Sequence, residues 1–237
     1  MLESYGLTDR GCVRANNEDC FLLASDAGLY VIADGMGGAS AGEEASQMAS
    51  QTVVESVRAS KRRDTQVLLM AIEEANRKVR ESATLNREKT GMGTTLVAAL
   101  EVGEDVAIAS VGDSRAYLFD DNRLHAITED QTWVAEVGRP LGIDEESLRT
   151  HPMRHVLTMA VGLGAPLAIN YYSLRLKPGA QILLCTDGLH GVVGEDVIES
   201  VLEGAETLEK KCGLLVEAAR QLGGPDNITC ILLRAAA

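Results

Sequence analysis

Residues 31–38 read VIADGMGG, a short apolar run that ends in Asp34 and Gly35. Alone, this pattern is typical of a strand followed by an Asp-Gly turn. The same construction returns almost 150 residues later as LLCTDG, residues 183–188, where Asp187 and Gly188 follow the apolar run. The repetition indicates that strand ends deliver carboxylates to a shared cleft.

Three further acidic motifs accompany these two strand ends. SVGDSR at 110–115 contains Asp113, GGPDN at 223–227 contains Asp226, and RANNED at 14–19 contains Arg14, Glu18 and Asp19. Each alone is more typical of a turn or a solvated loop. Because all of them combine acids with turn residues at the ends of apolar segments, we expect them to meet in one pocket.

The pattern of apolar segments predicts an α+β fold, in which strands follow one another between helix pairs. Helices are predicted within 41–60 and 65–88 and at about 206–222. Strands are predicted at 30–33, 95–100, 106–111, 116–119, 123–127, 171–176, 182–185 and 228–233. No linker or fixed repeat divides residues 1–237, so we expect a single domain.

Composition excludes several classes of partner. The chain has 237 residues, of which 46% are hydrophobic, and a formal net charge of −13 that disfavours nucleic acid and anionic membranes. No apolar run approaches the roughly 20 residues of a membrane helix, and the N-terminus lacks a secretory pattern. We therefore expect a cytoplasmic protein whose five cysteines are buried and reduced.

The chemistry follows from the donor set. Carboxylate oxygens without histidine or cysteine favour Mg²⁺ or Mn²⁺ over zinc. Two such ions could activate a bridging water for attack on phosphorus, and Arg14 could clamp the phosphate with its planar guanidinium. Gly35 would let the backbone carbonyl approach an ion. No C-x5-R loop frames a covalent cysteine nucleophile.

These motifs, in this order, resemble the metal-dependent protein phosphatases of the protein phosphatase 2C family, bacterial type. The resemblance also covers GTT at 93–95, LTMAVG at 157–162 and DNIT at 226–229, and so spans nearly the whole chain. It implies a four-layer α-β-β-α sandwich of two mainly antiparallel sheets flanked by helices. It also implies one catalytic domain over residues 1–237, with a variable flap at about 133–155 beside the active site.

The resemblance assigns roles residue by residue. Asp34 would bridge two ions, Asp187 and Asp226 would bind the first, and the Gly35 carbonyl the second. Glu18 and Asp19 would hold metal-bound waters, and Arg14 would bind phosphate. Asp113 with Asp187 would form a weaker third-metal site. Two departures stand out: Met36, where some members have a histidine, and Met159, where an arginine is usual; we expect the latter to alter flap packing or substrate contact.

The implied function is metal-dependent hydrolysis of phosphoserine and phosphothreonine by a protein phosphatase. The expected partners are phosphorylated proteins, substrates of a serine/threonine kinase, with neither nucleic acid nor membrane involved. The chain is expected to be a monomer. Two alternatives stay open: a phosphatase dedicated to a partner-switching regulator such as an anti-sigma-factor antagonist, and a catalytically inactive binding module of the same fold.

Overall fold

A computed structural model describes residues 1–37, 41–85, 89, 91–164 and 166–236. Within them, eleven strands form two sheets. The strands are β1 (Glu3–Asp9), β2 (Asp19–Ala24), β3 (Leu29–Met36), β4 (Gly93–Thr94), β5 (Leu96–Val102), β6 (Asp105–Val111), β7 (Arg115–Asp120), β8 (Arg123–Ala126), β9 (Asn170–Arg175), β10 (Gln181–Cys185) and β11 (Ile228–Arg234).

Six helices accompany the strands in the described ranges. They are α1 (Ala41–Ala59), α2 (Thr65–Leu85), α3 (Glu145–Thr150), α4 (Asp187–His190), α5 (Glu195–Glu203) and α6 (Leu208–Gln221), with a 3-10 turn at Ser25–Ala27 and a π-helical turn at Val134–Gly138. None of the helices in these ranges combines the length and the apolar character that a membrane crossing requires.

All strand pairs are antiparallel. One sheet has the order β1-β11-β10-β7-β8, and the other has the order β2-β3-β5-β6-β9, with β4 added beside β3. Three apolar clusters separate the layers. One joins α1 and α2 to the second sheet, one lies between the sheets, and one joins the first sheet to α4, α5 and α6. The predicted four-layer sandwich is therefore confirmed.

The two sheets place their polar connections at one end of the sandwich. Asp34 lies near the end of β3, and its cross-strand neighbour in β2 is Asp19. Asp113 lies in the connection from β6 to β7, Asp187 begins α4 directly after β10, and Asp226 precedes β11. Because these strands belong to both sheets, the strand register within each sheet and the packing of one sheet on the other determine how the carboxylates meet.

The sequence pattern missed the strands β1, β2 and the two-residue β4, and the helices α3, α4 and α5. β1 and β2 lie at sheet edges and are only partly buried; β1 lacks a long apolar run, whereas β2 carries the apolar run CFLLA at 20–24, which the prediction missed. α5 buries Ile198 and Leu202 at helical spacing, a signal that was present but short. The second helix ends at Leu85 in the described range, and Glu88 of the prediction lies outside the described residues. Of the five thiols, three are buried, but Cys12 is exposed and Cys20 half-buried.

Candidate active site

The backbone around Asp34 is fixed by two threonines from the neighbouring strands. The Asp34 amide donates to Thr95 Oγ1 over 3.0 Å, and its carbonyl accepts from the Thr94 hydroxyl over 2.8 Å and the Thr95 amide over 2.9 Å. Burial raises the pKa of the Asp34 carboxyl well above its usual range, and neighbouring Asp19, Asp187, Asp113 and Asp226 raise it further. Asp34 is thus the centre of a group of mutually repelling carboxylates.

Asp19 lies beside Asp34 and is almost fully buried, with 8% of its surface exposed. Its Oδ2 accepts hydrogen bonds from Thr186 over 2.9 Å and from Thr229 over 2.6 Å. Burial raises the pKa of Asp19 to about 7 although both hydroxyls favour the charged form. Its Oδ1 is buried and has no hydrogen-bond partner among the described residues.

Asp187 and Asp113 complete the inner part of the cluster. Burial, followed by repulsion from Asp226, raises the pKa of Asp187, while a hydrogen bond with the Asp34 carboxyl opposes this rise. Asp187 is thus one of the like-charged neighbours that raise the pKa of Asp34. Burial and repulsion from Asp187 raise the pKa of Asp113 to about 7.

Glu18, Arg14 and Asp226 form the outer rim. Arg14 Nη2 donates to Asp226 Oδ2 over 2.6 Å. The Glu18 amide donates to Asn227 Oδ1 over 2.8 Å, and burial raises the pKa of the Glu18 carboxyl beyond what nearby Arg14 offsets. The rim thus holds one cation and two carboxylates at the surface of the cleft.

Gly35 has a packing role that could not be predicted from the sequence. Its amide donates to the Glu18 carbonyl over 3.1 Å. A Cβ at this position would collide with the Gly42 carbonyl of α1 and lie 2.6 Å from the Glu18 carbonyl oxygen. Glycine is therefore required for β3 to approach the start of α1, whatever its carbonyl binds.

Several site residues were not singled out from the sequence. Thr186 and Thr229 hold Asp19, and Asn227 ties the rim through Glu18. His190 Nε2 donates to the Asp113 carbonyl over 3.0 Å. Burial, then the charge of nearby Arg115, lowers the pKa of His190 to about 4, so its imidazole is neutral at pH 7. The only available signal for Thr186, Asn227 and Thr229 was that they lie in the same short motifs as Asp187 and Asp226.

The described carboxylates fit divalent cations by their charge and by their unmet hydrogen bonds. Like Asp19, Asp187 has a buried Oδ1 without a hydrogen-bond partner in the described ranges. However, no three His, Cys, Asp or Glu side chains of the described chain converge into a complete metal-binding group. An incomplete set of direct carboxylate ligands suits Mg²⁺, which keeps several water ligands.

The segment predicted as a flap is closed at its base. Thr132 and Leu157 form an antiparallel bridge, and the Trp133 amide donates to the Val156 carbonyl over 2.8 Å. Inside this segment, the Trp133 and His151 rings stack with centroids 4.3 Å apart. Met159, just beyond it, is half-buried and packs against the cluster beneath α1 and α2.

Comparisons with known proteins converge on one family. The model of the family Protein phosphatase 2C matches residues 13–223. The chain is 35% identical over 239 residues to the serine/threonine phosphatase stp of Listeria welshimeri, and the match covers 95% of this chain and 93% of that protein. It is 34% identical over 233 residues to the serine/threonine protein phosphatase PstP of Mycobacterium tuberculosis, and covers 98% of this chain but 45% of PstP.

Solved structures agree in fold over the full chain. The serine/threonine phosphatase of S. agalactiae superposes with a TM-score of 0.93 at 31% identity, covering 99% of this chain and 100% of that one. The catalytic domain of PstP in complex with two manganese ions superposes with a TM-score of 0.89 at 32% identity, covering 100% and 99%.

Proposed function

Because the chain belongs to the protein phosphatase 2C family and is a protein serine/threonine phosphatase, we propose that it hydrolyses phosphoserine and phosphothreonine at a divalent-cation site in its acidic cleft. The observation that carries the proposal is that buried Asp34 has Asp19 and Asp187 as like-charged neighbours, with too few cationic partners to neutralise them. Their raised pKa values mean that bound cations would replace protons.

The proposed site holds two Mg²⁺ or Mn²⁺ ions. Asp34, Asp187, Asp226 and the Gly35 carbonyl would bind them directly, whereas Glu18 and Asp19 would do so through water. Asp113 with Asp187 would hold a weaker third ion. When bound, such ions supply Lewis acidity and an activated water for attack on phosphorus. The manganese-bound relative supports this choice of ion.

The protein itself supplies orientation and phosphate binding. The Thr94 and Thr95 contacts hold the Asp34 backbone, so that its carboxylate starts from one position. Arg14 stands at the rim with about half of its side chain exposed, where a phosphate attached to a large substrate can reach it. A guanidinium binds phosphate with two parallel hydrogen bonds, which orients the phosphoryl group as well as attracting it.

The proposed substrates are proteins that a serine/threonine kinase has phosphorylated. The monomeric state, the cytoplasmic location and a dedicated regulatory substrate all stay predictions. The inactive-module alternative is disfavoured because every acidic residue that the family resemblance requires is present.

The decisive experiment compares Asp34→Asn with the wild type on p-nitrophenyl phosphate and a phosphothreonine peptide, in Mn²⁺ and in EDTA. We expect wild-type turnover only with the metal, and a loss of at least about a hundredfold in Asp34→Asn. The matched control is Asp105→Asn, which changes a half-buried acid that pairs with Arg175 at the opposite end of β6 and should keep wild-type turnover. Metal-independent turnover, or an active Asp34→Asn, would refute the proposal.

A further inference from the structure

The carboxylate of Asp19 is held across the sandwich by two hydroxyl groups. Asp19 lies in β2 of one sheet, whereas Thr186 follows β10 and Thr229 lies in β11 of the other. Both threonines are 0% exposed, and both donate to the same oxygen, Asp19 Oδ2. Because water cannot reach these hydroxyls, no solvent molecule can replace either donor.

The hydrogen bonds around this carboxylate run in one direction. Thr229 uses its only hydroxyl proton on Asp19, so the 2.7 Å contact between Thr8 Oγ1 and Thr229 Oγ1 must have Thr8 as donor. Thr8 in turn accepts from Asn17 Nδ2 over 2.8 Å, and Asn17 Oδ1 accepts from the Asp19 amide over 3.1 Å. From Asn17 Nδ2 through Thr8 and Thr229, each proton points toward the Asp19 carboxylate, which favours its charged form.

Thr186 also connects the two acids of the inner cluster. It directly precedes Asp187, and its Oγ1 accepts from the Thr229 amide over 3.1 Å while donating to Asp19. The Thr186 amide donates to the Thr229 carbonyl over 3.1 Å, so the two threonines hold each other in place. The contact therefore links the position of Asp187 to the carboxylate of Asp19 on the opposite sheet.

We propose that Thr186 and Thr229 are positioning residues for the cation site, an inference that rests on the proposed function. By occupying Asp19 Oδ2, they leave Oδ1, which is buried and unpartnered in the described structure, as the oxygen available to a hydrated cation. Groups that orient a metal-binding side chain in this way commonly influence affinity as strongly as some direct ligands.

The test uses Thr229→Val and Thr229→Ser, and measures Mn²⁺ binding from the loss of the EPR signal of the free ion. We expect Thr229→Val to weaken Mn²⁺ binding by roughly 10- to 100-fold, while Thr229→Ser stays near the wild type. A role in packing alone predicts the opposite order, because serine loses a buried methyl group that valine keeps. The rank order thus separates positioning from packing even if both variants are less stable.

Two controls make every outcome decisive. Thr52→Val removes a buried hydroxyl from α1 and should leave Mn²⁺ binding unchanged. Asp34→Asn should lose binding if the proposed function is right. If Asp34→Asn loses binding while Thr229→Val matches the wild type, or Thr229→Ser binds as weakly as Thr229→Val, the positioning role is overturned and the proposed function stands. If Asp34→Asn binds Mn²⁺ normally, the proposed function itself fails.

Discussion

Arg14 forms an ion pair with Asp226, although the two residues are proposed to bind different partners during catalysis. Their contact of 2.6 Å neutralises a carboxylate that the proposed site reserves for a cation. The side chains are 55% and 30% exposed, so solvent screening limits the pair to about 0.2–1 kcal/mol. A cation therefore competes with Arg14 for Asp226 at a modest cost.

This competition predicts a split effect for Arg14→Ala. Releasing Asp226 should lower the half-saturating Mn²⁺ concentration by up to about fivefold, which corresponds to the upper end of that energy. Loss of the phosphate contact should raise KM for a phosphopeptide by roughly tenfold or more. Arg58→Ala, which breaks the remote ion pair with Asp26, is the control. An unchanged requirement for Mn²⁺ would show that the pair does not oppose cation binding.

The carboxylates could be predicted from the sequence, but their hydrogen-bond partners could not. An aspartate that follows a buried strand stands out, because its charge interrupts an apolar pattern. Thr186 and Thr229 look like ordinary strand residues, since threonine is common in strands for its β-branched shape alone. Their role depends on which hydroxyl faces Asp19 across two sheets, and this is a property of tertiary packing.

At the scale of elements, one aromatic stack, between Trp133 and His151, holds together the segment that the Thr132–Leu157 bridge closes. Trp133 at its base packs parallel to His151, with an interplanar angle of 8°. On the side of the π-helical turn, a Cβ on Gly138 would lie 3.2 Å from the Trp133 ring and 2.6 Å from Leu148. The segment therefore depends on close contacts around a single indole.

We expect His151→Ala to loosen this segment without unfolding the protein. An aromatic pair contributes about 0.5–1.5 kcal/mol beyond its buried area, so amides within 134–150 should exchange up to roughly tenfold faster. Trp133 is the only tryptophan of the chain, so its emission reports on the same site. His125→Ala, on exposed β8, is the control. If the amides within 134–150 exchanged as slowly in His151→Ala as in the wild type, the stack would not hold the segment.

The strands of the sandwich interior were predictable, whereas of the four edge strands β8 and β9 were predicted and β1 and β2 were missed. β5, β6, β10 and β11 are buried along most of their length and read as continuous apolar runs. Asp19 is the first residue of β2 and directly follows a polar loop, so the sequence pattern assigns Asp19 to that loop. In the structure this acid instead pairs across the sheet with Asp34. An edge strand needs fewer apolar residues, because one side of it has no neighbour.

At the scale of the whole molecule, the acidic cleft belongs to neither sheet alone. Asp19 and Asp34 come from the sheet under α1 and α2, Asp187 and Asp226 adjoin strands of the sheet under α6, and Asp113 lies in the connection between the two sheets. Folding therefore brings like charges together, and the apolar cluster between the sheets must offset their repulsion when no cation is bound. The free energy of unfolding should therefore depend on the protons and cations that neutralise the carboxylates of the cleft.

The metal-free protein should therefore become more stable as pH falls from 8 to 6. The pKa of Asp113 is raised from 3.8 to about 7, chiefly by burial, so the folded state holds this proton more tightly than the unfolded chain. Stability from such a group is fully present below pH 3.8 and is lost as pH rises through 7. Between pH 8 and 6 the gain is roughly 1.4 kcal/mol for Asp113, or about 3–5 °C in Tm.

Thermal unfolding in EDTA, followed at several pH values, measures this gain. Asp113→Asn cannot ionise, so its Tm should rise less between pH 8 and 6 than that of the wild type. Saturating Mn²⁺ should remove or reverse the pH slope of the wild type, because cations bind the ionised carboxylates and stabilise only the folded state. If Asp113→Asn and the wild type kept the same slope in EDTA, the Asp113 carboxyl would not titrate in this range, and its repulsion would not limit the stability of the empty cleft.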